Sequence, residues 1–359
     1  MRVLIAAGGT GGHIYPGIAV ANEIMRRDPS SVVRFVGTAH GLETRLVPNA
    51  GFELSIIESA GLVNMGLAQR LRGLLILPKS FLAARRLIKA FQPDIVVGAG
   101  GYVSGPVLLI AALMRVATIV MESNAIPGFT NRRLARFVDA AAVSFAAALP
   151  YFGSKGVLTG NPVRSEFFDI QVRERDPRRF CLLLFGGSQG ARAINNAMLQ
   201  ALPHLDLYRE RMHVTHQTGK LDFEKVRAGY EAAGWQQADV REYIDDMVGA
   251  FAENDLIISR AGATTSFELM AAGKPAVMVP LPGQMEQRRN AEVMQQAGAA
   301  IMIPQDELTG ERLAKEIGSL IEKPEEISRM EAAGRKLARK DAAAASVDLM
   351  QGLVQNRLR

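Results

Sequence analysis

Short apolar runs of strand length alternate along the chain with longer amphipathic segments of helical period. Several runs are apolar at every position, which is typical of parallel strands covered on both faces. Helices of this pattern are predicted at 14–27, 191–201, 264–272 and 287–297. The predicted strands are 3–7, 32–36, 53–57, 95–98, 118–121 and 140–143, then 181–185, 212–215, 240–243, 256–259, 276–279 and 300–303.

This strand–helix alternation runs through the chain twice, which predicts an α/β protein of two doubly wound, Rossmann-like domains. A turn-rich stretch at 159–164 (TGNPVR) predicts the boundary between residues 1–162 and residues 163–337. The remaining segment, 338–359, has a helical pattern and no strand partner. We expect it to dock back on the first domain.

Composition narrows the class of protein. The chain has 359 residues, 48% of them hydrophobic, and one cysteine, Cys181, which excludes an internal disulfide and any multi-cysteine metal site. No apolar run is long enough for a membrane span, and the apolar run at the start of the chain is too short for the hydrophobic region of a signal peptide. A cytoplasmic protein is therefore expected. The net charge of +6 permits nucleic acid, anionic lipid or phosphorylated substrates as partners.

Three glycine-rich loops each follow a predicted strand: loop one at 8–13 (GGTGGH), loop two at 98–106 (GAGGYVSGP) and loop three at 186–191 (GGSQGA). Glycine lets the backbone approach a ligand closely, and a following helix offers free N–H groups to a phosphate. Tight strand-to-helix turns are the alternative for any single loop. Three such loops favour a phosphate-bearing ligand. There is no P-loop, and no acidic residue stands at the ribose-binding spacing of a dinucleotide site.

The loops, the TGNPVR stretch, FGGSQGAR at 185–192, the SRAGA run at 259–263 leading to Glu268, and the region 287–290 together resemble the MurG family. This resemblance covers nearly the whole chain. It implies a GT-B fold, in which two Rossmann-like domains face a deep cleft. It also implies transfer of N-acetylglucosamine from UDP-N-acetylglucosamine to the 4-hydroxyl of the N-acetylmuramoyl unit of lipid I, forming lipid II with inversion. The first domain would bind the acceptor and the membrane, and the second the UDP-sugar.

The resemblance also implies roles for particular residues. His13 would be the general base, a task that suits an imidazole near neutral pH. Glu268 would hold the ribose and Arg164 would stabilise the leaving diphosphate. Without the resemblance, each residue has an ordinary structural role as the alternative: a helix cap for His13, a solvated helix acid for Glu268 and a solvated cation for Arg164. The other implied substrate contacts are Thr10, Gly11, Gly12, Asn124, Ser188, Ile244, Ala263, Thr264 and Gln287.

The chain departs from the family pattern at three positions. Glu286 stands where the family commonly has glutamine, and Met121 and Ser123 stand within an often different run. No cofactor is expected. No two aspartates are spaced as Asp-x-Asp, so no metal is expected either, and helix ends and basic residues would stabilise the leaving group.

A basic segment with apolar residues lies between Glu58 and Asp94, where no acidic residue occurs. It predicts contact with anionic lipid at the cytoplasmic face of the bacterial plasma membrane. The alternative is an ordinary helix whose apolar face joins the core. The predicted membrane patch is Arg72, Leu75, Lys79, Phe81, Arg85 and Arg86. The resemblance also leaves contacts with other cell-wall enzymes open.

Three other classes of function stay open on the residues alone. The first is another GT-B enzyme, such as a diacylglycerol glycosyltransferase, or a UDP-N-acetylglucosamine 2-epimerase, which has no need of a basic apolar segment. The second is an NAD-dependent dehydrogenase, which the missing ribose acid disfavours. The third is a nucleic-acid binder. The basic residues of this segment, at 70–89, cluster around an apolar stretch with a single aromatic residue, Phe81, where base stacking needs several, so no nucleic-acid partner is expected.

Overall fold

The structure is a computed structural model that describes residues 1–59, 67–171, 175–176, 178–187 and 189–358, without the side chains of residues 67–76 and 358. It divides into two compact units. Unit 1 comprises Met1–Val163 and Arg339–Arg359, and unit 2 comprises Arg164–Ala338. The prediction of two parallel-sheet α/β domains is confirmed.

Unit 1, as far as it is described, is built on a seven-stranded parallel sheet. Its central strands are buried along their whole length, as their apolar sequences predict. The strands are β1 (Arg2–Ala7), β2 (Val32–Gly37), β3 (Glu53–Ile56), β4 (Ile95–Gly100), β5 (Ala117–Glu122), β6 (Ala140–Val143) and β7 (Gly156–Leu158), in the spatial order β3-β2-β1-β4-β5-β6-β7.

Helices of unit 1 cover this sheet with their apolar sides. α1 buries Ile14, Val20 and Ile24, which join the core on one face of the sheet. Ala84 and Ile88 join a second core on the other face. The helices before the unit boundary are α1 (Gly11–Arg27), α2 (Glu43–Asn49), α3 (Leu67–Phe91), α4 (Ser104–Leu113) and α5 (Phe129–Leu134).

Unit 2 has a six-stranded parallel sheet within its described residues, in the order β10-β9-β8-β11-β12-β13. Its strands are β8 (Phe180–Phe185), β9 (Met212–Gln217), β10 (Asp239–Arg241), β11 (Leu256–Ser259), β12 (Ala276–Met278) and β13 (Ala300–Met302). Its helices are α6 (Arg192–Ala201), α7 (Phe223–Ala232), α8 (Met247–Glu253), α9 (Ala263–Ala272), α10 (Met285–Gln296), α11 (Gly310–Glu322) and α12 (Pro324–Leu337).

The chain then returns to unit 1 with α13 (Ala342–Leu358), which packs on α1. Val347 and Met350 are fully buried there among the residues of the first core. Arg27 of α1 pairs with Asp348 at 2.5 Å. α13 is therefore an integral layer of unit 1 although it follows unit 2 in the sequence.

The strand order of each sheet reverses at one point, between β1 and β4 in unit 1 and between β8 and β11 in unit 2. In open α/β sheets, ligands bind outside the carboxyl ends of the strands at this switch point. Loops one and two follow β1 and β4, and loop three follows β8. The fold thus places all three glycine-rich loops at switch points.

Within the described residues, no helix combines the length and the apolar character that crossing a bilayer would require.

Candidate active site

Loop one joins β1 to α1 and carries His13 on the first turn of that helix. Thr10 precedes the helix with an extended backbone, and its carbonyl accepts the His13 N–H at 3.1 Å. Gly11 and Gly12 are the first helical residues. The predicted general base, His13, and the predicted substrate contacts Thr10, Gly11 and Gly12 therefore lie in one continuous turn at the switch point of unit 1.

The imidazole of His13 is half-buried, and its Nδ1 lies 3.2 Å from the Gly8 carbonyl oxygen. A carbonyl can only accept, so Nδ1 carries the proton of the neutral ring and the lone pair is on Nε2. Burial lowers the pKa of His13 below its ordinary value, while the Gly8 carbonyl and the charge of Glu43 raise it in part. The ring is therefore a neutral base at pH 7.

Loop two packs directly against loop one. The Gly8 N–H donates to the Gly100 carbonyl at 3.3 Å. A Cβ on Gly100 would overlap the His13 ring, and one on Gly101 would overlap the Gly8 carbonyl; both glycines have positive φ, +124° and +81°. Glycine is required here because only a bare backbone leaves room for the imidazole. Loop two thus sets the position of His13.

Glu43, a residue that no sequence motif indicated, fixes the other side of loop one. Its Oε2 accepts the Gly9 N–H at 2.9 Å, and its Oε1 accepts the N–H and the hydroxyl of Thr38, both at 2.8 Å. Glu43 has no exposed surface. Burial raises the pKa of this carboxyl, but the hydrogen bonds from Thr38, from its own backbone N–H and from Gly9 outweigh burial and hold the pKa below its usual range.

Asn124 follows β5 in a loop organised by a buried carboxylate. Glu122 accepts from the N–H and the side-chain amide of Asn124 at 2.8 and 3.1 Å, and its other oxygen accepts from Gly128 and Asn131. Burial raises the pKa of Glu122, and these bonds oppose the rise. Asn124 is half-buried and lies beyond the carboxyl end of a strand next to β4.

Loop three lies at the switch point of unit 2, and its Ser188 falls outside the described residues. Gln217 is buried and donates to the Gly187 carbonyl at 2.9 Å. A Cβ on Gly190, whose φ is +75°, would overlap the Thr218 carbonyl. The segment after β9 therefore packs tightly under loop three, a contact that the spacing of the glycines alone did not reveal.

A buried polar network supports this segment. Asn195 donates to the Thr218 carbonyl and to Asp222, both at 3.0 Å, and accepts from His216 at 3.0 Å. The second ring nitrogen of His216 lies 3.1 Å from the Tyr230 hydroxyl. Burial lowers the pKa of His216 to about 3, so this histidine is a neutral structural residue.

Glu268 lies in α9, one and a half turns after the start of the helix at Ala263. Its side chain is 14% exposed and its Oε1 is 3.6 Å from Arg164 Nη2. Burial raises the pKa of Glu268 to about 7, although Arg164 lowers it in part. The guanidinium of Arg164 also stacks on Phe167, 4.8 Å from the ring centroid. The structure thus brings together Arg164 and Glu268, two residues about 100 positions apart.

Thr264, in the first turn of α9, has a buried hydroxyl with no hydrogen-bond partner in the described part of the chain. Ala263 is beside it at the switch point, after β11. Buried hydroxyls are nearly always hydrogen-bonded in folded proteins. The Thr264 hydroxyl therefore has an unused hydrogen-bonding capacity at the start of the helix, within the described residues.

Two further predicted contacts have distinct environments. Ile244 is buried, and its main chain makes no hydrogen bond to any residue the structure describes. The strand expected at 240–243 ends earlier, at Arg241, although the Gly219 N–H still donates to the Glu242 carbonyl at 3.2 Å. Gln287 is half-buried and accepts the Leu281 N–H at 3.1 Å, which ties it to the turn before α10.

The predicted membrane patch falls on α3. The side chains of Arg72 and Leu75 lie outside the described residues. Lys79, Arg85 and Arg86 are exposed, whereas Phe81 is half-buried. Leu82, an apolar residue of the same segment that is not among the six predicted patch residues, is 47% exposed on the same helix.

Comparison with protein families matches both units. Residues 3–143 match the glycosyltransferase family 28 N-terminal domain, and residues 181–346 match the glycosyltransferase family 28 C-terminal domain.

Similar proteins of known name cover nearly the whole chain. A protein of Anaeromyxobacter sp. (strain K) is 48% identical over 99% of this chain and 94% of its own length. One of Myxococcus xanthus (strain DK1622) is 44% identical over 98% of this chain and 93% of its own. Both are named UDP-N-acetylglucosamine–N-acetylmuramyl-(pentapeptide) pyrophosphoryl-undecaprenol N-acetylglucosamine transferase.

Among solved structures, MurG of Acinetobacter baumannii superposes with a TM-score of 0.79 at 32% identity, over 98% of this chain and 99% of that one. A UDP-GlcNAc 2-epimerase of Neisseria meningitidis has a TM-score of 0.72 at 16% identity, over 98% of this chain and all of that one, which is a likeness of fold alone. Transferases and epimerases share this fold, but the higher sequence identities over whole chains are with the transferases. The chain is a glycosyltransferase of family 28 and belongs to the MurG family.

Proposed function

We propose that the chain transfers N-acetylglucosamine from UDP-N-acetylglucosamine to the 4-hydroxyl of the N-acetylmuramoyl unit of lipid I, with inversion, and so forms lipid II. The names of relatives that are 43–48% identical support the two substrates. The observation that carries the chemistry is the half-buried His13, whose Nδ1 is committed to the Gly8 carbonyl and whose Nε2 holds the lone pair.

In the proposed step, Nε2 of His13 takes the proton of the acceptor hydroxyl as its oxygen attacks the anomeric carbon of the donor sugar. The bond from that carbon to the diphosphate oxygen breaks, and UDP leaves with the electron pair. A single displacement of this kind inverts the anomeric centre. Thr10, Gly11 and Gly12 would line the reacting end of the sugar.

Unit 2 would bind the UDP moiety through groups that favour negative charge and ribose hydroxyls. The free N–H groups at the start of α9 and the Arg164 guanidinium suit a leaving diphosphate. Glu268 suits the ribose, and the buried Thr264 hydroxyl suits a polar atom of the donor. Ile244 would meet uracil through its main chain, and Ser188, Ala263 and Gln287 would complete the donor contacts, with Asn124 on the acceptor side.

No metal is required in this proposal. Helix ends and Arg164 would take its electrostatic role. The protein would act at the cytoplasmic face of the plasma membrane, held by anionic lipids at the exposed basic face of α3.

The test is transfer from UDP-N-acetylglucosamine to a soluble lipid I analogue by the purified chain, with and without EDTA. We expect turnover in both conditions, and loss of roughly 10²–10⁴-fold in His13→Ala, the range of general base catalysis. UDP affinity, measured by calorimetry, should be unchanged. His204→Ala, which changes an exposed histidine of unit 2, is the matched control. Wild-type turnover in a folded His13→Ala would contradict the role of His13, and activity lost in EDTA and restored by Mg²⁺ would contradict the metal-free step.

A further inference from the structure

A single peptide group connects Glu43 to His13. The peptide between Gly8 and Gly9 donates its N–H to Glu43 Oε2 at 2.9 Å, and its carbonyl oxygen lies 3.2 Å from His13 Nδ1. The two side chains therefore bind opposite ends of the same amide, although they come from different helices.

The surroundings of Glu43 are shaped for a carboxylate. A Cβ on Gly8 would lie 3.0 Å from Oε1, one on Gly37 would lie 2.5 Å from Cγ, and one on Gly41 would overlap Oε2. Within the described residues, Glu43 forms no ion pair. A carboxylate buried without a cation is costly unless several N–H and O–H groups donate to it. Glu43 has such donors in Gly9 and Thr38.

Hydrogen bonds in series polarise one another. A negative charge on the N–H side of the Gly8–Gly9 peptide makes its carbonyl a stronger acceptor, which holds the proton on His13 Nδ1 and leaves Nε2 as the base. The charge also favours protonation of the ring, so it opposes the effect of burial on the basicity of His13. Loop two packs only backbone atoms against the His13 ring, at Gly100. Among the described residues, Glu43 is the ionisable group whose charge acts on the ring.

We propose that Glu43 is a positioning residue for His13, acting through the Gly8–Gly9 peptide to fix the tautomer of the imidazole and to sustain its basicity. This proposal rests on the assignment of His13 as the general base. The role would be that of the carboxylate that orients a catalytic histidine elsewhere, with one peptide group inserted between the two side chains.

The direct test follows the titration of His13 by NMR in protein labelled with ¹⁵N-histidine, its signals assigned with His13→Ala. In the wild type, we expect neutral His13 to carry its proton on Nδ1. Glu43→Gln keeps the size of the side chain and removes its charge. We expect the pKa of His13 to fall in this variant by roughly 0.5–1 unit, less than the 1–3 units of a directly paired charge.

Thr38→Val is the matched control. It removes one hydrogen bond to Glu43 and leaves the carboxylate charge, so His13 should titrate as in the wild type even if both variants lose melting temperature. If Glu43→Gln does not fold, the wild-type tautomer still decides: a neutral His13 with its proton on Nε2 would overturn the proposal.

Kinetics give the second readout. The acidic limb of the pH profile of kcat/KM should move to lower pH in Glu43→Gln, because a less basic His13 stays unprotonated further into acid. Glu43→Gln should lower kcat about tenfold or more in the otherwise wild-type protein. It should lower kcat little when His13 is already alanine, since the two residues act as one unit. An acidic limb that stays at its wild-type pH would overturn the proposal, and so would equal losses of kcat in the wild-type and His13→Ala proteins. The NMR titration needs no turnover, so it can test the effect of Glu43 on His13 even if the proposed reaction is wrong.

Discussion

At the scale of single residues, Glu268 makes the stability of the fold depend on pH. Its folded-state pKa of about 7 lies above the ordinary value of 4.5 for a free glutamate. Between these two values the folded protein binds more protons than the unfolded chain, so the free energy of unfolding falls as pH rises from about 4.5 to 7. The shift corresponds to about 3 kcal/mol as an upper bound.

Glu268→Gln should remove this loss. We expect the variant to be more stable than the wild type at pH 8, by about 1–3 kcal/mol, and to differ little at pH 4. Urea unfolding at the two pH values measures both quantities. Glu231→Gln, at an exposed position of α7, is the control and should change stability little at either pH. Equal effects of Glu268→Gln at pH 4 and pH 8 would contradict the raised pKa.

Residue-level prediction from the sequence can group residues that are contiguous, but it misses groups that form only through distant contacts. Loop one is a contiguous run, so its glycines and His13 could be identified together. Glu43 has no such run, because its partners come from loop one, 34 residues away, and from Thr38. The only local signal was the pair Gly37 and Gly41 on either side of a strand-to-helix turn. The Asn195–His216 network was missed for the same reason.

At the scale of elements, α3 shows how one helix divides between core and solvent. Ser80, Ala84, Ile88 and Phe91 are buried along one side. Lys79, Leu82, Arg85, Arg86 and Lys89 are exposed. The sequence left two alternatives open for this helix, an apolar face in the core and a membrane patch. The described part of α3 has a buried side that suits the first and an exposed basic side that suits the second.

The exposed face of α3 predicts salt-sensitive binding to anionic vesicles. Replacing Lys79, Arg85 and Arg86 with Gln should weaken binding by about 3 kcal/mol, or roughly a hundredfold at low salt, at about 1 kcal/mol per charge. Leu82→Ser should weaken it further without lowering the melting temperature. Co-sedimentation with phosphatidylglycerol vesicles measures the effect.

Three exposed arginines of unit 2, Arg178, Arg227 and Arg329, provide the charge-matched control. Their replacement by Gln should leave vesicle binding nearly intact. If the two triple variants sediment alike, the membrane contact lies elsewhere than α3.

Prediction of elements follows burial. The fully apolar runs that became β4, β5, β6 and β8 were identified because parallel strands covered on both faces leave no other pattern. β7 was missed: it has three residues at the edge of the sheet, and its Val157 and Leu158 are partly exposed. β10 is an edge strand too, and it is shorter than predicted. A short edge strand has few residues in which a period can be recognised.

At the scale of the whole molecule, the repeated strand–helix pattern was sufficient to predict the doubly wound class, since the strand order follows from short right-handed crossovers. What the pattern cannot predict is the extent to which α13 completes unit 1. Arg27 hydrogen-bonds the Ala344 carbonyl and pairs with Asp348, and Arg357 binds both carboxylate oxygens of Asp139 at 2.8 Å. These contacts span more than 200 positions in sequence.

Met350→Ala should therefore destabilise unit 1 although it lies far from every glycine loop. Met350 is 1% exposed, and truncation of a buried methionine costs about 2–5 kcal/mol. Thermal melting should show an earlier transition. Asn356→Ala, at an exposed position of the same helix, should melt with the wild type. Coincident melting of both variants would show that α13 is dispensable for unit 1.

The return of α13 also determines the order in which the protein can be completed during translation. Unit 2 is one continuous segment, whereas the part of the first core that Val347 and Met350 complete stays exposed until α13 is made, and α13 begins about 180 residues after unit 1 is first interrupted. At 5–20 residues per second, that interval is roughly 10–35 s. A ribosome-bound chain thus carries a complete unit 2 together with a unit 1 whose core is still partly exposed. We expect nascent chains in this interval to be the form that chaperones bind and that aggregates.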